Sequence, residues 1–432
     1  MKIAMFTNTY LPHVGGVARS VKQFTDACRR RGHRVLVIAP TYPNEPAHEE
    51  DVFRVPAVPH LAGGNFAVAL PVNFDLAEDV ERFDPDVIHA HHPFLLGCTA
   101  LRISASRNIP MAFTHHTMYE HYTHYVPVEL PVMKRYVVNL ATGFANLCRG
   151  VIAPSESIAE ILRSRGVTTP IDVVPTGVEV DRFSTGDGAA VRKELGIPAD
   201  APVIGHVGRL APEKNLQFLT HAAIEVLGRV PEAHWVVVGD GESLPQIRQA
   251  SKEADLSAHC HLAGVRKGED LVNAYHAMDA FLFASHTETQ GMVLTEAMAA
   301  GCPVVALDAP GSREVTRDGE NGRLVLHERV DEFASAAVSL LEMDDRSRKE
   351  MAAAARETAE RYGIEPTTDR LEEVYDRLAR TQAPQEMTLA EDWSSLLRSA
   401  RREWEIWSNR FSSLTDAART EHPSSPNPPG FS

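Results

Sequence analysis

Short apolar, β-branched runs alternate with amphipathic helical stretches along most of the chain. This is the pattern of a parallel α/β architecture, whose strands are buried on both faces. In the first half the predicted strands are KIAMFTN from residue 2, RVLVIAP from 34, DVIHAH from 86, MAFTHH from 111, GVIAPS from 150 and IDVVPTG from 171. A helix is predicted between the first two, over VARSVKQFTDACRRRG. After a Gly-rich break, STGDGAA from 184, the alternation restarts with PVIGHVG, HWVVVGDG, CHLAG, AFLFAS and PVVALDA, separated by helical segments such as NLQFLTHAAIEVLGRV. The layout predicts two Rossmann-like, doubly wound α/β domains, over 1–183 and 184–365, facing across a cleft formed by the carboxyl ends of both strand sets. A closing helix is predicted over 366–380. Residues 381–432 form a tail in which Leu389, Trp393, Leu396, Ala400, Trp404, Trp407, Phe411 and Leu414 mark one apolar helical face before a Pro- and Ser-rich, disordered end.

Length supports the two-domain reading, since 432 residues exceed what one core usually serves. Thr7 and Asn8 interrupt the N-terminal apolar run before a signal-peptide core could form, and no stretch reaches the roughly 20 apolar residues a membrane span needs. The five cysteines are scattered and odd in number, with no C-x-x-C pair, which suggests neither a disulfide framework nor a thiolate zinc site and fits a reducing cytoplasm. A net charge of −15 argues against nucleic acid as a partner. Residues 1–185 are nearly neutral, with 17 Lys and Arg against 18 Asp and Glu, so a partner of that half need not be repelled.

The candidate chemistry lies at predicted strand ends. Glu288 falls in the loop after AFLFAS and Glu296 in the following helix. That helix, beginning near Gln290 or Gly291, would offer free amides and a positive dipole end to a phosphate, and Gly291 would allow close approach. Taken alone, the two glutamates read more readily as a solvated loop or cap residue and an exposed helical residue. Arg209 and Lys214, just after the first strand of the second half, suit a diphosphate leaving group, although a strand end often carries surface cations. Gly15 and Gly16 precede the first helix, where a tight turn can bring amides to a ligand or be only a turn. Histidines 89, 91, 92, 115, 116, 121 and 124 raise the question of a metal, which histidine content alone does not establish. Asp84 and Asp86 read as a helix stop and strand lead-in.

Together, GGV at 15–17, HT at 116–117, GRLAPEKN at 208–215, and Glu288 with Glu296 resemble the GT4 family of retaining glycosyltransferases with the GT-B fold. The resemblance covers nearly all of residues 1–380. THHTMYEHYTHYVP and TETQGMVLTEAMAAG are similar to the bacterial diacylglycerol glucosyltransferase branch, with Gln290, Gly291 and Met292 where many members have GFG. The resemblance implies a nucleotide-sugar donor. It assigns Glu296 to the ribose, Arg209 and Lys214 to the diphosphate, Glu288 to sugar hydroxyls, Gly16 to the phosphate and the Val265 backbone to the base, with Gly15, Gln290, Gly291, Met292 and Val293 completing the donor set. His116 would lie beside the reacting sugar, and His115, Tyr119 and Glu120 on the acceptor side. No metal is expected, since Arg, Lys and a helix terminus supply the electrostatics.

A glycoside hydrolase also uses paired carboxylates but gives the phosphate ligands no purpose, and a non-catalytic nucleotide-binding module would tolerate loss of Glu288. For a transferase, the acceptor is either diacylglycerol, the glucosyl donor then being UDP-glucose, or a soluble sugar or polysaccharide intermediate served by a UDP- or GDP-sugar. A lipid acceptor implies a cytoplasmic protein in peripheral contact with the inner face of the membrane. The segment PVMKRYVVNLATGFANLCRG has only Lys134, Arg135 and Arg149 for such contact, while the tail adds Arg398, Arg401, Arg402 and Arg410 beside its tryptophans, a face equally suited to packing on its own protein.

Overall fold

The computed structural model describes residues 1–380 apart from 14, 47–48, 59–67, 70–73 and 122–130, together with residue 402. The expected tail helix and His124 lie outside the described residues. The chain forms two compact units, the first comprising 1–154, 158–173 and the segment from 370 onward, the second 155–157 and 174–369.

In the first unit the strands are β1 (Lys2–Phe6), β2 (Arg34–Pro40), β3 (Val52–Val55), a short pair β4 (Ala57–Val58) and β5 (Val68–Ala69), then β6 (Val87–Ala90), β7 (Met111–Thr114), β8 (Gly150–Ala153) and β9 (Ile171–Val173). All but β4 and β5 form one sheet in the order β3-β2-β1-β6-β7-β8-β9, with every pairing parallel. Ile3, Met5, Val35, Val37, Val87 and Ile88 are fully buried, as strands covered on both faces require. The helix Gly16–Arg30 turns Ala18, Val21, Phe24, Ala27 and Cys28 inward at three- and four-residue spacing. Sheet order reverses between β1 and β6, so the loops leaving these two strands open the crevice where doubly wound sheets bind ligands.

The second unit carries β10 (Val203–Val207), β11 (His234–Val238), β12 (Cys260–Gly264), β13 (Ala280–Phe283), β14 (Val304–Leu307) and β15 (Gly322–Val325). They form a parallel sheet in the order β12-β11-β10-β13-β14-β15, which reverses between β10 and β13. One face packs on Leu219, Val226, Phe333 and Leu340, the other on Tyr275, Leu294, Met298 and Ala355.

The structure divides the chain at 173/174, ten residues before the boundary expected at 183/184. The intervening segment belongs to the second unit because Val178 donates its N–H to Tyr362 O at 2.9 Å and Phe183 packs edge-on against Tyr275. The closing helix spans Ile364–Arg380, and from Arg370 onward it belongs to the first unit. There it buries Leu371, Val374, Tyr375 and Leu378, and Glu372 accepts from Arg31 and His33 at 2.9 Å each. Asp86 accepts from the Lys2 N–H at 2.7 Å and Asp84 pairs with Lys2 at 3.3 Å, so both act at the helix stop and strand lead-in. No helix among the described residues is long and apolar enough to cross a membrane.

Candidate active site

In the second unit the candidate residues gather on the loops leaving β10 and β13, the two strands at the reversal. Beyond β10, a short 3-10 turn, Pro212–Lys214, brings Lys214 to an ion pair with Glu288 on the β13 loop, both side chains about four-fifths buried. Arg209 pairs with Glu213, whose side chain is only 4% exposed and whose second carboxylate oxygen is buried without a partner. Thr287 ties the two loops together by donating from Oγ1 to Glu213 O at 3.1 Å. Thus Arg209, Lys214 and Glu288, distant in sequence, come together with Glu213.

The helix after the β13 loop is Met292–Ala299, with Gly291 as its N-cap at φ 70°. A side chain at Gly291 would press on Gly311 O at 3.0 Å in a left-handed conformation, so glycine is required for the chain's own packing. The amides of Met292 and Val293 have no carbonyl within the helix to bond, whereas Leu294 N donates to Gly291 O at 2.9 Å, and helix starts with such open amides favour anions. Glu296 lies one turn further and is buried at 3% exposure, where it accepts from Tyr275 OH at 2.7 Å. A solvated helical face does not describe it.

Gln290 departs from the donor-binding assignment. Its side chain is 5% exposed and clasps the Thr176 backbone, Nε2 donating to Thr176 O at 2.6 Å and Oε1 accepting from Thr176 N at 2.5 Å. Both polar ends of the amide are engaged within the chain, so it anchors the β13 loop to the segment following β9. Val265 is 60% exposed just past β12, at the same carboxyl edge of the sheet. His206 of β10, unnoticed in the sequence, is buried, donates from Nδ1 to Leu282 O at 3.1 Å and leaves Nε2 without a partner. Burial pushes its pKa down to about 4, with Lys214 adding to the fall and Glu288 opposing it.

In the first unit, Gly15 caps the helix Gly16–Arg30 in extended backbone, and a Cβ on Gly16 would meet nothing within 4 Å. Open space therefore adjoins this helix start, at the end of the β1 loop. The histidines line strands β6 and β7 and the loops after them. His89 is fully buried, with Tyr375 OH 2.6 Å from Nδ1 and Thr114 Oγ1 2.7 Å from Nε2. His91, also fully buried, lies against His89 with ring centres 4.1 Å apart, and its Nδ1 is 2.9 Å from His116 Nε2. His91 Nε2 and both nitrogens of His115 are buried without partners. Burial drives all of these rings toward the neutral form, His89 and His92 to about 3 and His115 to about 4, and His91 and His116 well below the usual imidazole range.

On the expected acceptor side, Tyr119 packs edge-on against His115 and Phe94, its hydroxyl buried without a partner. Glu120 is held by Arg165 at 2.5 Å. Among the described residues no three His, Cys, Asp or Glu side chains are arranged to hold a metal ion, and the five cysteines form no disulfide with one another.

Two family models match in tandem: Glycosyltransferase Family 4 over residues 14–182 and Glycosyl transferases group 1 over 188–358. A GDP-mannose-dependent alpha-mannosyltransferase of Mycobacterium tuberculosis is 31% identical over 75% of this chain and 84% of its own. The chain belongs to the family 4 glycosyltransferases. This glycosyltransferase is also similar to the alpha-monoglucosyldiacylglycerol synthase of Streptococcus pneumoniae, 28% identical over 81% of each chain. Its fold matches the crystal structure of HepE from Anabaena in complex with UDP, with a TM-score of 0.70 at 22% identity, covering 87% of this chain and all of that one. The GT-B class expected from the sequence is thus the class of its two sheets.

Proposed function

We propose that this family 4 glycosyltransferase transfers a hexose from a nucleotide-sugar to a hydroxyl with retention of configuration, the donor being UDP-glucose and the acceptor diacylglycerol. The observation that carries the donor half is the Lys214–Glu288 pair beside the start of the helix Met292–Ala299. A cation for a diphosphate thereby adjoins a carboxylate for sugar hydroxyls and a helix terminus that favours anions. When a donor binds, its phosphate replaces Glu288 as the partner of Lys214, and Glu288 turns to hydroxyls. Arg209 joins Lys214 on the diphosphate, Glu296 takes the ribose and the Val265 backbone the base.

In the first unit, Gly16 leaves room for phosphate oxygens near the helix start, and His116 stands beside the reacting sugar. Same-face substitution balances without a protein base. The acceptor oxygen bonds to C1, the bond from C1 to the phosphate oxygen breaks, and the acceptor's proton passes to that leaving oxygen. The protein contributes position and charge stabilisation on the departing nucleoside diphosphate, with no metal required. Diacylglycerol follows from the likeness to the pneumococcal synthase, and peripheral work at the inner membrane face follows from that acceptor.

One observation favours a second reading, a GDP-mannose donor: the mycobacterial mannosyltransferase is similar at slightly higher identity. The separating experiment measures nucleoside-diphosphate release from UDP-glucose and GDP-mannose, each with and without diacylglycerol vesicles. Release from UDP-glucose that depends on the vesicles supports the first reading, and release from GDP-mannose alone replaces it with the second.

A further inference from the structure

We propose that the second unit carries a second anion site, a basic cavity at the amino-terminal edge of its sheet that takes a small, soluble phosphate ester. The cavity is bordered by Asp279, just before β13, and Pro303, just before β14. It lies apart from the donor loops, which leave the carboxyl edge of the same sheet, and so goes beyond the reading above.

The basic wall is one flank of the helix Asp345–Arg361. Lys349, Ala352 and Arg356 follow one another on it at three- and four-residue spacing and share a face, with Arg348 beside Lys349 one turn before Ala352. The short side chain of Ala352 leaves the middle of this stripe low, between basic ends about 10–12 Å apart along the helix. Opposite stand Met278 and Asp279 at the entry to β13, and Gly301 and Pro303 at the entry to β14. The cavity between them has a volume of about 320 Å³, enough for a small molecule.

This positive cavity lies in the half of the chain that carries nearly all of the net charge of −15. Asp279 is the one carboxylate lining it and is already engaged, its Oδ2 accepting from Arg192 at 2.9 Å and from the Val203 N–H at 2.8 Å. Arg348 is held in place by donating to Leu341 O at 3.0 Å and Met343 O at 3.2 Å, and stands 3.6 Å from the other oxygen of Asp279. Lys349 and Arg356 have no hydrogen-bond or ion-pair partner among the described residues. Arg356 nevertheless has a defined place. Gly301 has a φ of 77°, and a Cβ there would lie 2.2 Å from a terminal nitrogen of Arg356, so the guanidinium rests on bare backbone. The negative end of the Met292–Ala299 helix dipole favours a cation at that point. Two cations with donors to spare and a third fixed beside them therefore line one cavity. A phosphate ester supplies the charge and the several acceptor oxygens that such donors match. Because the phosphate must enter between a helix flank and two turns rather than lie on a flat basic face, a free ester fits better than a headgroup held in the plane of a membrane.

Isothermal titration calorimetry tests this with glycerol 3-phosphate added to the full chain carrying Lys214→Ala, which removes a phosphate contact of the proposed donor site. The comparison is the same chain carrying Lys349→Gln and Arg356→Gln as well. Neither side chain has a partner to lose, so the thermal unfolding midpoint should stay in place. One saturable site is expected in the first chain, weakened about tenfold or more in the second, and glycerol alone should not bind. In protein labelled with methyl-13C-methionine, the Met278 methyl resonance, identified by Met278→Leu, should move as the site fills. Equal affinity in the two chains, or no saturable binding in the first, would overturn the proposal. So would co-sedimentation with phosphatidylglycerol vesicles that depends on Lys349 and Arg356 while the soluble ester fails to bind, since the phosphate would then belong to a lipid. Lys214 is absent from both chains, so failure here leaves the donor reading untouched.

Discussion

Acidification should loosen the first unit, and the buried histidines set how much. An imidazole in an unfolded chain titrates near 6.5, whereas burial, the largest cause in each case, holds His89 and His92 near 3 and His115 near 4 in the fold. The folded pKa lies below the unfolded one, so the unfolded chain binds protons that the folded chain refuses. Stability is therefore full above pH 6.5 and falls as the pH drops from 6.5 toward 4 and 3, where the folded rings begin to protonate. At pH 5.5 each ring costs on the order of 1 kcal/mol relative to neutral pH, so these three together cost several kcal/mol. His91 and His116, shifted in the same direction, add to it. Against a typical total of about 5–15 kcal/mol, that is a large share. Hydrogen exchange of the β6 and β7 amides at pH 7.5 and 5.5, corrected for the intrinsic pH dependence of exchange, reads the opening free energy. A fall of several kcal/mol is expected. An unchanged value would mean that the rings are protonated or solvated within the fold.

Two further predictions concern the second unit. Gln290→Leu removes both hydrogen bonds between its amide and the Thr176 backbone, at about 1 kcal/mol each, so thermal unfolding should shift down by several degrees; an unshifted transition would remove the anchor role. Glu288→Ala should mainly lower kcat, whereas Glu296→Ala should mainly raise donor KM and also destabilise, because Tyr275 OH loses its buried acceptor; steady-state kinetics giving the two variants the same profile would contradict that division.

Much of this was legible in the chain because parallel strands buried on both faces leave unmistakable apolar runs. KIAMF, RVLVIAP, HWVVV and AFLF each became a strand at the expected place. Four strands were missed: β4 and β5 are two residues each, and β3 and β15 lie at sheet edges, are four residues long and are only partly buried, so VFRV and GRLV carry little signal. Resemblance supplied the positions of Arg209, Lys214, Glu288 and Glu296, and the structure brought the first three together around Glu213, which sits in plain view in PEK. It could not supply pairings that depend on distant segments. Gln290 looks like a ligand contact until Thr176, 114 residues earlier, is seen in its grip. Likewise the histidines of HAHH and THH gave no hint that Tyr375 of the closing helix pins them. His206 did leave a signal, a polar residue inside the apolar run PVIGHV, which in a strand covered on both faces calls for a reason.

Transfer from a nucleotide-sugar through the Lys214–Glu288 pair can be followed at both of its products. UDP release from UDP-glucose would be followed with diacylglycerol vesicles present and absent, for the wild type and for Lys214→Ala, with the lipid product identified by mass spectrometry. UDP and glucosyl-diacylglycerol are expected in equal amounts from the wild type, with release only when vesicles are present, and a loss of about a hundredfold or more in Lys214→Ala. Free glucose formed without acceptor, or turnover untouched by the substitution, would contradict it.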